Sequence, residues 1–142
     1  MIKLSKLSDY AIVVLSRLAA EKGEVMTTSM LSSETGIPEP TVSKVLKLLS
    51  KHKIVLSVRG ASGGYKMERT PADITVTELI TALEGPIALT ACLEPSHNDC
   101  MIDALCPLKG GWHKVNMAVK SALDKVALSD LLIPVRSKRG TA

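Results

Sequence analysis

Apolar residues along the first twenty positions fall on one helical face. Tyr10, Val13, Val14, Leu18 and Ala19 follow the i, i+3, i+4 spacing that marks an amphipathic helix. Ser8 is placed to cap it, Asp9 falls in its first turn, where the helix dipole favours a carboxylate, and Gly23 closes it after about Lys22. A short second helix starts at Thr27 or Thr28 and runs through Met30 and Leu31 to Thr35. Gly36-Ile37-Pro38 is a tight turn, and Pro40 suits the first turn of a third helix over roughly 38–51. That helix divides cleanly: Val42, Val45, Leu46 and Leu49 share a face, while Thr41, Ser43, Lys44, Lys47 and Lys51 project elsewhere. Two short helices joined by a glycine-containing turn, the second with a basic face, predict a helix-turn-helix.

The pattern then changes period. Ile54-Val55-Leu56-Ser57-Val58 is rich in β-formers, Arg59 to Gly64 is a glycine-rich turn, and Tyr65-Lys66-Met67 is again extended. This predicts a β-hairpin directly after the third helix. The glycines let the tip approach a phosphate or a minor groove, which Arg59 is placed to enter. A phosphate-binding loop is the competing reading of these glycines, but the G-K-[ST] ending and the following helix are missing.

Thr75-x-x-Glu78 is a capping box that opens a helix of Val76, Leu79, Ile80 and Leu83, ended by Gly85-Pro86. Trp112 begins the longest helix, to about Leu131, with Val115, Ala118, Val119, Ala122 and Val126 on one face. A winged helix needs no such appendage to close its core, so this stripe is expected to pair with a copy of itself in a homodimer. The competing arrangement packs it back on its own domain. The expected fold is therefore mainly α: a winged helix-turn-helix with a small β-hairpin wing and a long C-terminal dimerisation helix. Its expected divisions are a DNA-binding domain over 1–70, a linking helix and loop over 71–111, a dimerisation helix over 112–132 and a flexible basic tail over 133–142.

Composition fits a helical core packed on aliphatic side chains: 46% of the 142 residues are apolar, yet the aromatics are only Tyr10, Tyr65 and Trp112. So few stacking platforms argue against single-stranded nucleic acid. The net charge of +4 is unevenly spread. Residues 41–69 carry seven Lys or Arg against one Glu, whereas 70–106 carry six carboxylates and no Lys or Arg. A basic block beside an acidic one is the footprint of a polyanion site at one end of the molecule. A merely solvated charged face is the alternative. No stretch approaches the length of a membrane span. The apolar run near the start is too short for an export signal and is interrupted by Arg17. With an odd number of cysteines, this points to the reducing cytoplasm rather than a disulfide framework.

All three cysteines, Cys92, Cys100 and Cys106, lie in one acidic fifteen-residue window with spacing C-x7-C-x5-C. Such clustering suggests thiolates converging on a soft metal or an iron–sulphur cluster. The plainer reading is three buried, inert thiols.

Several stretches together resemble the winged-helix iron–sulphur regulators that include IscR and the nitric-oxide sensor NsrR. They are Leu4 to Ala11, Pro40 to Leu49, Val58 to Tyr65, Glu84 to Cys92 and Cys106 to Asn116. Within that family the chain most resembles the regulators of SUF iron–sulphur assembly. The resemblance implies a homodimeric transcription factor, not an enzyme, that binds a double-stranded DNA operator through the third helix and the wing. It assigns DNA contact to Thr28, Pro40, Thr41, Ser43, Lys44, Lys47, Arg59, Ser62, Gly63, Gly64 and Tyr65. Lys44, Lys47, Lys51 and Arg59 are the phosphate contacts, and Thr41, Ser43 and Lys44 the base readers.

It also implies that Cys92, Cys100 and Cys106 hold a 2Fe-2S or 4Fe-4S cluster. In IscR-type proteins the fourth ligand is a histidine three residues after the last cysteine, and that position here is Lys109. The spacing between the first two cysteines is also longer than in the better-known relatives. Asp9, matching an aspartate of nitric-oxide-sensing relatives, is the favoured fourth ligand, with His97 and then His113 as alternatives. The function implied is a cluster-sensing repressor of SUF assembly genes. The alternatives are a nitric-oxide or redox-sensing repressor on the same scaffold, and a zinc- or thiol-based regulator without a cluster.

Overall fold

The computed structural model describes residues 3–89, 93, 107 and 111–132. Five α-helices and one hairpin follow in the order α1 (Lys6–Ala20), α2 (Thr28–Thr35), α3 (Glu39–Lys51), β1 (Leu56–Val58), β2 (Gly64–Lys66), α4 (Val76–Glu84) and α5 (Gly111–Asp124). This is the mainly helical, winged helix-turn-helix fold expected from the sequence.

In α1 the apolar stripe is buried as its spacing predicts, with Ala11, Val14, Leu15 and Leu18 inaccessible to solvent. The cap differs from expectation. Ser5, not Ser8, is the N-cap, and its side chain makes no capping bond. Its backbone N–H donates instead to Glu84 Oε1 at 2.7 Å, tying the start of α1 to the end of α4. Ser8 faces inward, and its Oγ has no hydrogen-bond partner among the described residues. The helix also stops earlier, at Ala20 with Glu21 as its C-cap, and Gly23 follows in the left-handed region. Arg17 joins α1 to α2 by reaching both Glu21 and Glu34. The bond to Glu34 is the main cause that holds its guanidinium pKa above the ordinary value, against the opposing effect of desolvation.

Thr27 caps α2 by accepting from the Met30 N–H at 3.1 Å. Gly36 ends it with φ of 78°, where its N–H reaches Ser32 O at 2.9 Å. Only glycine takes that left-handed conformation without strain, so the helix-turn-helix corner is encoded by one residue. Pro38 caps α3, and Val42, Val45, Leu46 and Leu49 are all fully buried against α1, α2 and α4.

The strands are shorter than the run of β-formers predicts. The Ile54 N–H still donates to Leu49 O at 3.0 Å as part of the exit from α3. Ile54 and Val55 therefore go into the core, and the ladder starts only at Leu56. The hairpin pairs Leu56 with Lys66, Ser57 with Tyr65 and Val58 with Gly64. Tyr65 also pairs on its other side with Met26, through two backbone bonds of 2.8 Å. That third contact needs a glycine next to it, because a Cβ at Gly64 would sit 2.4 Å from Met26 O.

After a 3-10 turn at Pro71–Asp73, α4 opens with the capping box expected at Thr75. The Thr75 Oγ1 accepts from the Glu78 N–H, and Glu78 accepts from the Thr75 N–H, both at 3.1 Å. The last helix ends at Asp124, well short of Leu131, and α1 is the longer of the two. Beyond Asp124 the backbone bonds to its own domain: Val126 O accepts from Val76 N–H at 2.9 Å, and the Leu128 N–H donates to Ile74 O at 2.7 Å. Leu128 is completely buried in the core. These tertiary bonds hold the segment out of the helix, so Val126 does not extend the stripe of α5. No described helix is long and apolar enough to cross a membrane.

Candidate nucleic-acid interface

The apolar side of α3 is locked into the core, which fixes what its other side presents. Lys44, Lys47 and Lys51 are exposed, Pro40 is exposed at the first turn, and Thr41 and Ser43 are half-buried beside them. Thr28 stands at the start of α2, close to the start of α3. Its Oγ1 donates to Glu39 Oε1 at 3.2 Å. The structure thus brings Thr28, Pro40, Thr41, Ser43, Lys44 and Lys47 onto two adjoining helices of one corner.

The wing adds the second group. Arg59 and Ser62 are exposed at its tip, and the turn is closed by a Gly63 N–H bond to Gly60 O at 2.9 Å. Gly64 and Tyr65 belong to its root rather than its tip. Tyr65 is half-buried and packs against the core, with its backbone bonded on both sides.

Ion pairing sorts the basic block. Lys66 pairs with Glu68 at 2.8 Å and Arg69 with Glu78 at 3.0 Å. Among the described residues, Lys44, Lys47, Lys51, Lys53 and Arg59 are exposed and have no ion pair. Unneutralised cations on one helix, at its exit and at one loop tip suit the phosphates of a duplex, whose counterions they displace. A helix presented this way fits the major groove and a hairpin tip the neighbouring minor groove.

Cys92, Cys100, Cys106, His97 and Lys109 lie outside the described residues, as does the basic tail over 133–142. What is described is how the chain enters and leaves the cysteine window. On entry, the Asn116 side chain of α5 grips the backbone: Nδ2 donates to Ile87 O at 2.9 Å, and Oδ1 accepts from the Leu89 N–H at 3.1 Å. On exit, α5 begins at Gly111. Asp9 is exposed in the first turn of α1, and His113 is exposed on α5. Sequence reasoning did not single out Asn116, which holds the 87–89 backbone at the entry to the window. Its polar side chain at the inner edge of an apolar stripe was the available signal.

Among the described residues, nothing covers one face of α5. Trp112 is 40% exposed and Val115 45%, and Ala118 and Ala122 are exposed on the same stripe. The face around Asn116 packs against α4 and the 87–89 segment.

Comparison with known proteins places this arrangement. The family described as "Rrf2: Iron-dependent Transcriptional regulator" matches residues 4–134. The chain is 30% identical over 131 residues to the HTH-type transcriptional regulator NsrR of Bacillus subtilis, covering 92% of this chain and 90% of that one. Among solved structures it is similar to CymR (YrzC), the global cysteine regulator of B. subtilis. The TM-score is 0.66 at 28% identity, over 93% of this chain and 97% of CymR. It is also similar to T. potens IscR, with a TM-score of 0.60 at 29% identity, over 92% and 86% of the two chains.

Proposed function

The chain belongs to the Rrf2 family of transcriptional regulators, and from that premise we propose that it is an iron–sulphur-cluster-sensing repressor of the genes for SUF cluster assembly. It is a DNA-binding regulator and not an enzyme, as its relatives are. The observation that carries the reading is the row of unpaired cations on α3 and the wing tip, in a chain whose cysteines are confined to a single window.

In this reading, α3 enters the major groove and Thr41, Ser43 and Lys44 meet base edges. Lys47, Lys51 and Arg59 neutralise phosphates, with Ser62 and the glycines at the wing tip beside the backbone. The uncovered stripe of Trp112, Val115, Ala118 and Ala122 is the surface for a second copy. A two-fold dimer then sets two recognition helices against two half-sites of one operator.

The donor set fits iron: Cys92, Cys100 and Cys106 are soft thiolates. Asp9, exposed at the start of α1, would supply a weaker fourth ligand from the partner subunit. His97 and His113 are the alternatives. When bound, the cluster supplies a group that iron shortage, oxidants or nitric oxide can alter. Asn116 links the entry to that window with the helix that carries the dimer stripe, so ordering of the window and placement of the two subunits share one contact. A bias of about 1.4 kcal/mol between two subunit placements is enough to change operator affinity tenfold.

A second reading keeps the scaffold but replaces the cluster with zinc or free thiols. It is supported by the likeness to CymR, named for cysteine rather than iron, and by Lys109 standing where IscR-type proteins have a histidine. Oxygen-free purification followed by iron and acid-labile sulphide assays separates the two readings. We expect iron and sulphide in the wild type, and a colourless but folded and dimeric Cys106→Ala protein. A wild-type protein that stays iron-poor after reconstitution would rule the cluster reading out.

A further inference from the structure

Glu39 is an anomaly on a surface built for phosphates. From α2 to two residues past the wing there are three carboxylates: Glu34, Glu39 and Glu68. Glu34 is turned to Arg17 of α1 and Glu68 to Lys66. Glu39 has no cation among the described residues. It is exposed in the first turn of α3 and accepts a hydrogen bond from Thr28 Oγ1 at 3.2 Å.

A helix start tolerates a carboxylate well, which accounts for its stability there but not for its effect on docking. The N-terminal residues of a recognition helix are those that reach base edges. A negative charge brought there meets a polyanion, and weakens binding unless its oxygens receive donors. In the major groove the base donors are the exocyclic amines of cytosine (N4) and adenine (N6). Adenine sets the acceptor N7 beside its amine, which repels a carboxylate. Cytosine presents the amine alone.

We infer that Glu39, oriented by Thr28, is a specificity-determining residue that accepts a hydrogen bond from the N4 amine of a cytosine in the operator. The inference rests on the duplex-DNA reading above and adds to it the identity of one base. Thr28 is thereby a positioning residue: its hydroxyl occupies one carboxylate oxygen and leaves the other for the base.

The test is selection from a randomised duplex pool with the full-length chain, in cluster-loaded and metal-free forms, comparing wild type, Glu39→Gln, Glu39→Asp and Thr28→Val. Thermal melting confirms that each variant is folded. The wild type is expected to enrich a motif with a fixed cytosine. Glu39→Gln should lose that preference by about tenfold and admit adenine, whose N6 and N7 suit an amide. Glu39→Asp keeps the charge but not the reach, and should lose the preference as well. Thr28→Val should weaken it at the same position only. If Glu39→Gln selects the wild-type motif unchanged, or merely binds every duplex more tightly, the inference is wrong. A wild type that enriches no sequence in either form would remove the duplex reading first, and this one with it.

Discussion

Asn116 shows how much one side chain can hold. It is buried, and its amide satisfies a carbonyl at Ile87 and an N–H at Leu89 that no strand or helix supplies. Replacing it with Ala leaves both half-buried groups without their partner, at a cost toward the lower end of the roughly 1–3 kcal/mol of a buried unsatisfied group. We expect a urea midpoint lowered accordingly, with hydrogen exchange accelerated more at the Leu89 amide than in α3. Residues of this kind are hidden from sequence reading because their partners lie 27 and 29 positions away. Thr75 and Glu78 are the opposite case. Their reciprocal bonds are written in four consecutive residues, so the capping box is plain in the sequence. Ser8 falls between: as a polar residue before an apolar stripe it has the composition of a cap, but Ser5, three residues earlier, takes the position.

At the scale of elements, α3 was fully legible. Its four apolar positions and its lysines separate by periodicity alone, and the structure buries and exposes them accordingly. The end of α5 was not. Helical spacing continues past Asp124, but the backbone of Val126 and Leu128 bonds to Val76 and Ile74, a tertiary preference that periodicity does not carry. Leu128→Ala tests how much this return segment matters. Leu128 is fully buried, so the substitution is expected to cost about 2–5 kcal/mol in chemical denaturation. A cost below about 0.5 kcal/mol, the scale of ordinary surface changes, would mean that the segment contributes little to the domain. The hairpin shows the same limit on a smaller scale. Ile54 and Val55 have the composition of a strand but serve as core residues, because α3 has not yet released their backbone.

For the whole molecule, the charge division seen in the sequence acquires a geometry. The unpaired cations collect on α3, its exit and the wing tip, while the apolar stripe of α5 lies on another element and stays uncovered. Val115→Glu, placed within that stripe, should convert the proposed dimer to a monomer in sedimentation, with helical content retained in circular dichroism. A protein that remains dimeric would move the proposed interface elsewhere. The fold could be read from sequence because its signals are local: caps, a glycine corner and amphipathic faces. The cysteine window was named from its spacing alone, and its cysteines lie outside the described residues. One consequence follows from the double fastening of Tyr65, to Ser57 on one side and Met26 on the other. A hairpin whose second strand is tied to the domain at Met26 does not swing like a free flap. Its offset from α3 is a gauge set when the polypeptide folds, so in the proposed dimer a regulatory signal would act by turning whole jaws against each other rather than by bending either one.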